Sequence, residues 1–167
     1  MTTKNQRTVE FDATADALRE ILTSPDFLVA EQESDPGNES AQYRDISRTD
    51  DRLKYEMQIV EYGRSMKGVI DRNKRDQSRV TSDWDLKARR CTWTYKNVTS
   101  SWSDRFRCSG ETRIEPAGNR ARLISSFEVE GKIPLAGKVL EKLIVGEFTQ
   151  GYQRYDDLVR EYVRKRK

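Results

Sequence analysis

The chain has 167 residues, of which 35% are hydrophobic and 35% charged, with a formal net charge of +3. That length suits one domain with a real core and is short for two, and the low apolar share means that nearly every apolar residue must face a single interior. There is no histidine and there are only two cysteines, which excludes histidine-based triads, histidine-held zinc or haem, and cysteine-built zinc or iron–sulfur sites.

Residues 7–13 alternate, with Val9 and Phe11 on one face, and this predicts a first strand. Thr14 is placed to cap a short helix carrying Ala17, Leu18, Ile21 and Leu22. Ser24-Pro25-Asp26 opens a second short helix: a hydroxyl cap, proline at the first helical position, then an acid in the first turn. It carries Phe27, Leu28 and Ala30, and Asp35-Pro36-Gly37-Asn38 closes this part as a turn.

A meander follows. Residues 43–48 read as a weak strand, and Leu53, Tyr55, Met57 and Ile59 mark a clear half-buried one. After a turn at Gly63, Met66, Gly68 and Ile70 continue inward, and residues 71–79 form a charged loop. Val80, Ser82, Trp84 and Leu86 then alternate, as do Cys91, Trp93 and Tyr95. Phe106, Cys108 and Gly110 run on to Ile114, and Ala121, Leu123, Ser125, Phe127 and Val129 form the last strand after a turn at Pro116-Ala117-Gly118-Asn119. Folding the chain about Thr99-Ser100 sets Trp93 opposite Phe106 and Cys91 opposite Cys108, all on the inward face. Two buried, reduced thiols are expected there rather than a disulfide.

Residues 134–165 read as one long amphipathic helix with Leu140, Ile144, Phe148, Tyr155, Leu158, Val159 and Tyr162 in a stripe. A helix of ~30 residues is roughly 45 Å long, more than one face of a small sheet needs, so the sheet is expected to curve around it and leave room for a ligand. Gly151 interrupts the stripe, while Glu147 and Arg154 flank it beside Leu143. The two charges read first as a solvated border; the other reading makes them a polar anchor in a pocket opened by the missing side chain.

Lysine and arginine are interleaved with aspartate and glutamate, the pattern of a solvated surface, so no nucleic-acid partner is expected. The basic tail Arg164-Lys165-Arg166-Lys167 complements a helix C-terminus; weak contact with a membrane surface is its other reading. The first seven residues have no signal-peptide core and no apolar run approaches ~20 residues, so a cytoplasmic protein without a membrane-spanning segment is expected. There is no glycine-rich phosphate loop, since Gly131-Lys132 lacks an upstream glycine. Tyr43, Tyr55, Tyr95 and Glu147 are the inward-facing candidates for acid–base work. None is marked out by pattern, so no catalytic residue, metal or cofactor is assigned.

The joint Gly131-Lys132-Ile133-Pro134-Leu135-Ala136-Gly137-Lys138-Val139-Leu140-Glu141-Lys142, with the order strand, two short helices, meander and long helix, resembles the START and birch-pollen-allergen superfamily. That group includes bacterial polyketide cyclase/dehydrase-like and coenzyme-Q-binding proteins. The resemblance implies an α+β helix-grip fold over residues 1–167: a curved antiparallel sheet of about seven strands around the C-terminal helix. It also implies binding or carriage of a hydrophobic small molecule, such as a lipid, isoprenoid or polyketide, between sheet and helix. The residues expected to contact that molecule are Tyr55, Met57, Ile70, Trp84, Trp93, Phe106, Phe127, Leu143, Glu147, Gly151 and Arg154. A cyclase or dehydratase-like enzyme using the same cavity, and a packed core acting through a protein partner, are the alternatives; the oligomeric state is left open.

Overall fold

A computed structural model describes residues 2–65, 67–99 and 104–167. Met66 and Ser100, assigned above to an inward strand position and a loop centre, lie outside the described residues. In chain order the elements are β1 (Thr2–Phe11), α1 (Ala15–Leu22), α2 (Pro25–Glu33), β2 (Asn38–Arg48), β3 (Arg52–Arg64), β4 (Ile70–Asp85), β5 (Arg90–Asn97), β6 (Phe106–Ala117), β7 (Arg120–Gly131), α3 (Gly137–Gln150) and α4 (Tyr152–Lys165). The strands form one curved antiparallel sheet in the order β1-β7-β6-β5-β4-β3-β2. Among the described residues no helix is long and apolar enough to cross a membrane.

Local chemistry sets the two short helices. Thr14 Oγ1 accepts from the Ala17 N–H at 3.1 Å and Ser24 Oγ accepts from the Phe27 N–H at 3.3 Å, with Pro25 opening α2. Each cap satisfies a donor that the first turn leaves without a helical partner.

Three expectations need correction. Residues 71–79 are not a loop: they belong to β4, paired with β3 from Tyr62↔Arg75 to Met57↔Val80. Backbone pairing does not require apolar side chains, so a charged, largely exposed strand is silent to alternation. The irregularity there is a bulge, because the register jumps from Tyr62↔Arg75 to Gly63↔Asp71 and residues 72–74 are left over. Gly63 makes room for it, since a Cβ there would fall 2.7 Å from the Lys74 Cβ.

The β5–β6 register also differs. Tyr95 pairs with Cys108, Trp93 with Gly110 and Cys91 with Thr112. The indole of Trp93 lies across Gly110, where a Cβ would come 2.4 Å from Trp93 Cζ2, and Phe106 opposite Trp93 could not offer that space. The shift is even in number, so the faces are kept. Both cysteines are buried and free, as expected.

Finally, the long helix starts at Gly137 and is divided at Gly151. The chain passes through Leu135 at φ 63° before turning into α3. At the division the Gly151 N–H bonds to the Phe148 carbonyl at 3.2 Å, three residues back, and α4 resumes with Tyr155 N–H to Gly151 O at 3.0 Å. This tighter turn bends the helix. The β7–α3 joint is equally close: a Cβ on Gly131 would lie 2.4 Å from the Gly137 carbonyl oxygen. Glu141 seals it, accepting from the Thr3 hydroxyl at 2.6 Å and the Gly131 N–H at 3.1 Å.

The interior is split in two. Phe11, Leu18, Ile21, Phe27, Leu53, Met57, Trp84 and Leu123 form a large cluster, against which Val159, Tyr155 and Tyr162 of α4 pack. Cys108, Phe127 and Val129 form a small one, covered by Trp93, Phe106, and Ile144 and Phe148 of α3.

Candidate functional site

A cavity of about 460 Å3 borders both clusters, between the sheet and the C-terminal helices. Period-two alternation brings Tyr55, Met57, Ile59 and Glu61 of β3, Ser82 and Trp84 of β4, and Cys91, Trp93 and Tyr95 of β5 into its wall. Phe27, Leu28 and Glu31 of α2 face it from one side; Leu143, Ile144 and Phe148 of α3 and Tyr155 of α4 face it from the other. Its aromatic lining is mutually packed. Phe148 lies 4.9 Å from Phe127 and 5.9 Å from Trp93 between ring centroids, and Tyr95 stacks on Phe106 at 5.8 Å. Phe27 meets the edge of Tyr155 at 5.9 Å near α2.

All the residues expected to contact a ligand line this cavity except Ile70, which sits at the start of β4 opposite Arg64. It misses because the bulge at residues 72–74 separates the beginning of β4 from the alternation that governs the rest. Tyr43, an acid–base candidate, is also outside the lining. Its ring packs on Tyr55 at 5.3 Å and its hydroxyl donates to Asp45.

The charges on the C-terminal helix are partly exposed and ion-paired. Glu147 is ion-paired with Arg64, which lies 3.7 Å from Asp35, and Arg154 lies 3.3 Å from the same Asp35. These four residues join α3, the end of β3, the α2–β2 turn and α4 at the cavity's rim. Gly151 makes the arrangement compact, since a Cβ there would sit 3.2 Å from Arg154 Nη2.

Three polar residues of the site are not among the candidates read from sequence. Arg7 of β1 donates from Nη1 to Asp156 Oδ2 at 2.9 Å and lies over the Tyr152 ring at 3.9 Å from its centroid. Glu61 accepts from the Tyr95 hydroxyl at 2.9 Å. Burial holds its carboxyl above the usual range, opposed by hydrogen bonds including that of Tyr95. Burial, reinforced by the Glu61 charge, drives the Tyr95 phenol far up. Glu31 is pushed up to about 7 by burial, with Arg154 pulling the other way. It is half-buried and lines the cavity. A signal for all three is present in the chain: Glu61 continues the Tyr55-Met57-Ile59 alternation, Arg7 precedes Val9 by two, and Glu31 follows Phe27 by four on a helix.

Chemically the site offers apolar contact area, fixed hydrogen-bonding points and buried acids. It offers no activated thiol: burial pushes Cys91 and Cys108 up to about 12.

The fold is shared with proteins of very different sequence. Superposition on the Zhui aromatase/cyclase from Streptomyces sp. R1128 gives a TM-score of 0.65 at 14% identity, covering 100% of this chain and 97% of that one. Norcoclaurine synthase from Thalictrum flavum, in complex with dopamine and hydroxybenzaldehyde, matches with a TM-score of 0.66 at 15% identity, over 100% of this chain and 89% of the other. A START superfamily protein from Mycobacterium smegmatis gives 0.57 at 16% identity, over 98% and 99%. At such identities the likeness establishes the fold alone: the START-like helix grip. No curated protein matches the sequence. A family profile described as "Protein of unknown function (DUF2505)" matches residues 6–163, nearly the whole chain, and the protein belongs to that family.

Proposed function

We propose that the protein binds or carries a hydrophobic small molecule, of lipid, isoprenoid or polyketide type, in the cavity between sheet and helix. One observation carries this reading: about 460 Å3 of space lined by Met57, Trp84, Trp93, Phe127, Leu143 and their neighbours. Small-molecule sites are typically concave, mostly apolar and within a few hundred to a thousand Å3. A core meant only to be packed would lose contact energy throughout such a space, which argues against the packed-core alternative. Burial of the ligand's apolar surface, at ~25 cal/mol per Å2, would supply most of the affinity. Access would run past the ion-paired rim, with movement of the loops near Gly63 and Gly131. A carrier of this kind would work in the cytoplasm.

The test is native mass spectrometry of the purified protein, then organic extraction and identification of what is released. A co-purifying lipid, isoprenoid or polyketide supports the reading. No bound mass, with no rise in melting temperature across a panel of such compounds, would sink it.

A second reading, a cyclase or dehydratase-like enzyme, is favoured by one specific feature, the hydrogen-bonded Glu61–Tyr95 pair inside the cavity. A carboxyl raised by burial beside a phenol is an acid–base pair in form. Under that reading Glu61→Gln abolishes turnover of a bound polyketide while binding persists.

A further inference from the structure

The cavity's polar groups can be paired off one by one. Three guanidinium groups line it, and each is engaged by protein carboxylates: Arg7 by Asp156, Arg64 by Glu147 and Asp35, Arg154 by Asp35. On the acidic side Glu61 and Asp76 stand directly opposite each other on β3 and β4, both lining the cavity. Among the described residues Glu61 is met by neutral donors, including Tyr95, and by the charge of Arg64 without a direct ion pair. Glu31 makes no hydrogen bond or ion pair through its carboxyl among the described residues; its nearest electrostatic neighbour is Arg154, already engaged. The interior therefore holds carboxyl groups that the protein's own cations do not match.

The unpartnered donors in the same wall do not offset this. Arg7 Nε and Trp84 Nε1 are fully buried beneath the cavity surface, out of a ligand's reach. Glu31 is half-buried and lines the cavity. Phe27, Tyr55, Trp84 and Tyr155 line the cavity with it, and the Tyr55 and Tyr155 phenols interact with its carboxyl electrostatically. A carboxyl without a protein partner in a cavity lined by aromatic residues has the chemistry of a cation site, combining a charge-assisted hydrogen bond with attraction of the ring quadrupoles.

Building on the carrier reading above, we infer that the ligand is a hydrophobic amine, its cationic nitrogen seated against Glu31 and its apolar body directed toward Phe148, Phe127 and Trp93. The Glu31 carboxyl, without an ion-pair partner among the described residues, is the half of a pair that such a ligand completes. Binding is then coupled to pH. The groups facing Glu31 are Arg154 and Tyr155 from α4 and Tyr55 from β3; the arginine stays charged and burial keeps both phenols protonated. Ionisation of Glu31 is thus the local event, and amine affinity rises as pH increases through about 7.

The experiment uses two matched sets on different skeletons: decylamine, 1-decanol and decanoate, and 2-naphthylethylamine, 2-naphthylethanol and 2-naphthylacetate. Each is titrated into the full chain by calorimetry at pH 6 and pH 8. The expected result at pH 8 is an amine bound about 10-fold or more tighter than the alcohol of the same skeleton, with the carboxylate weakest. The preference shrinks at pH 6 and falls to near unity in Glu31→Gln. If that variant does not fold, the wild-type headgroup ranking and its pH dependence decide alone. Equal binding of the three headgroups, or carboxylate binding tightest, overturns the amine assignment and leaves hydrophobic carriage standing. If all six compounds fail to bind at either pH, both readings fall.

Discussion

Arg7 and Asp156 lie 149 residues apart and meet twice at 2.9 Å, Nη1 on Oδ2 and Nη2 beside Oδ1, tying the first strand to the last helix. Both side chains are mostly buried, and the guanidinium is also covered by Tyr152. Removing one partner strands the other charge. Asp156→Ala should cost about 3–5 kcal/mol, read as a lower urea midpoint with little change in slope. A loss under about 1 kcal/mol would mean that water reaches Arg7 and the pair is effectively a surface one.

Two glycines of the same region should respond with opposite signs. A Cβ on Gly131 would strike the Gly137 backbone at 2.4 Å, so Gly131→Ala must push β7 and α3 apart. Overpacking of this kind costs roughly 1–3 kcal/mol. Gly146 sits within α3, and a Cβ there would meet nothing within 4 Å. Gly146→Ala should stabilise by about 0.5–1 kcal/mol through helix propensity. Thermal melts of the two variants check both directions.

Glu31 gives the fold a pH slope. Its carboxyl titrates near 7 in the folded chain against 4.5 ordinarily, so between those values the folded state holds the extra proton. Stability from this group is therefore present at low pH and lost as pH rises from about 4.5 to about 7, by on the order of 3 kcal/mol. Glu61 shifts in the same direction, so the useful quantity is wild type minus Glu31→Gln. Urea midpoints at pH 5 and pH 8 should show the variant gaining on the wild type at the higher pH. Parallel behaviour at both would show that Glu31 is hydrated.

Cys91 and Cys108 should resist labelling. Both are buried, with thiols pushed up to about 12, and the observed register sets Cys91 opposite Thr112 and Cys108 opposite Tyr95. At pH 8 a thiol-reactive dye should modify neither in native protein and both after denaturation. Rapid native labelling would mean that the β5–β6 wall opens.

The features legible in the sequence are those written into side-chain alternation. Tyr55, Met57, Trp84 and Phe127 are buried where their period places them, and Thr14 and Ser24 cap where they are expected to. What escapes is set by backbone pairing or by space. The charged half of β4 is a strand because β3 offers it hydrogen bonds, and no hydrophobic period records that. The β5–β6 register follows from the Trp93 ring lying over Gly110, a contact between positions that sequence spacing alone does not join. Of the site, the aromatic wall is legible, while the pairing of Glu147 and Arg154 depends on Arg64 and Asp35 arriving from elsewhere.

The bend at Gly151 divides labour between unequal halves. Behind it α4 is pinned to the large cluster through Val159 and Val163, whereas α3 rests on the small one and buries only Leu140 and Glu141 fully. The two lengths of helix should accordingly breathe at different free energies, α3 swinging as a flap while α4 stays seated. Under the proposed carrier function, a swap of cargo would cost only the unlatching of one rim and half a helix, with the rest of the molecule left folded.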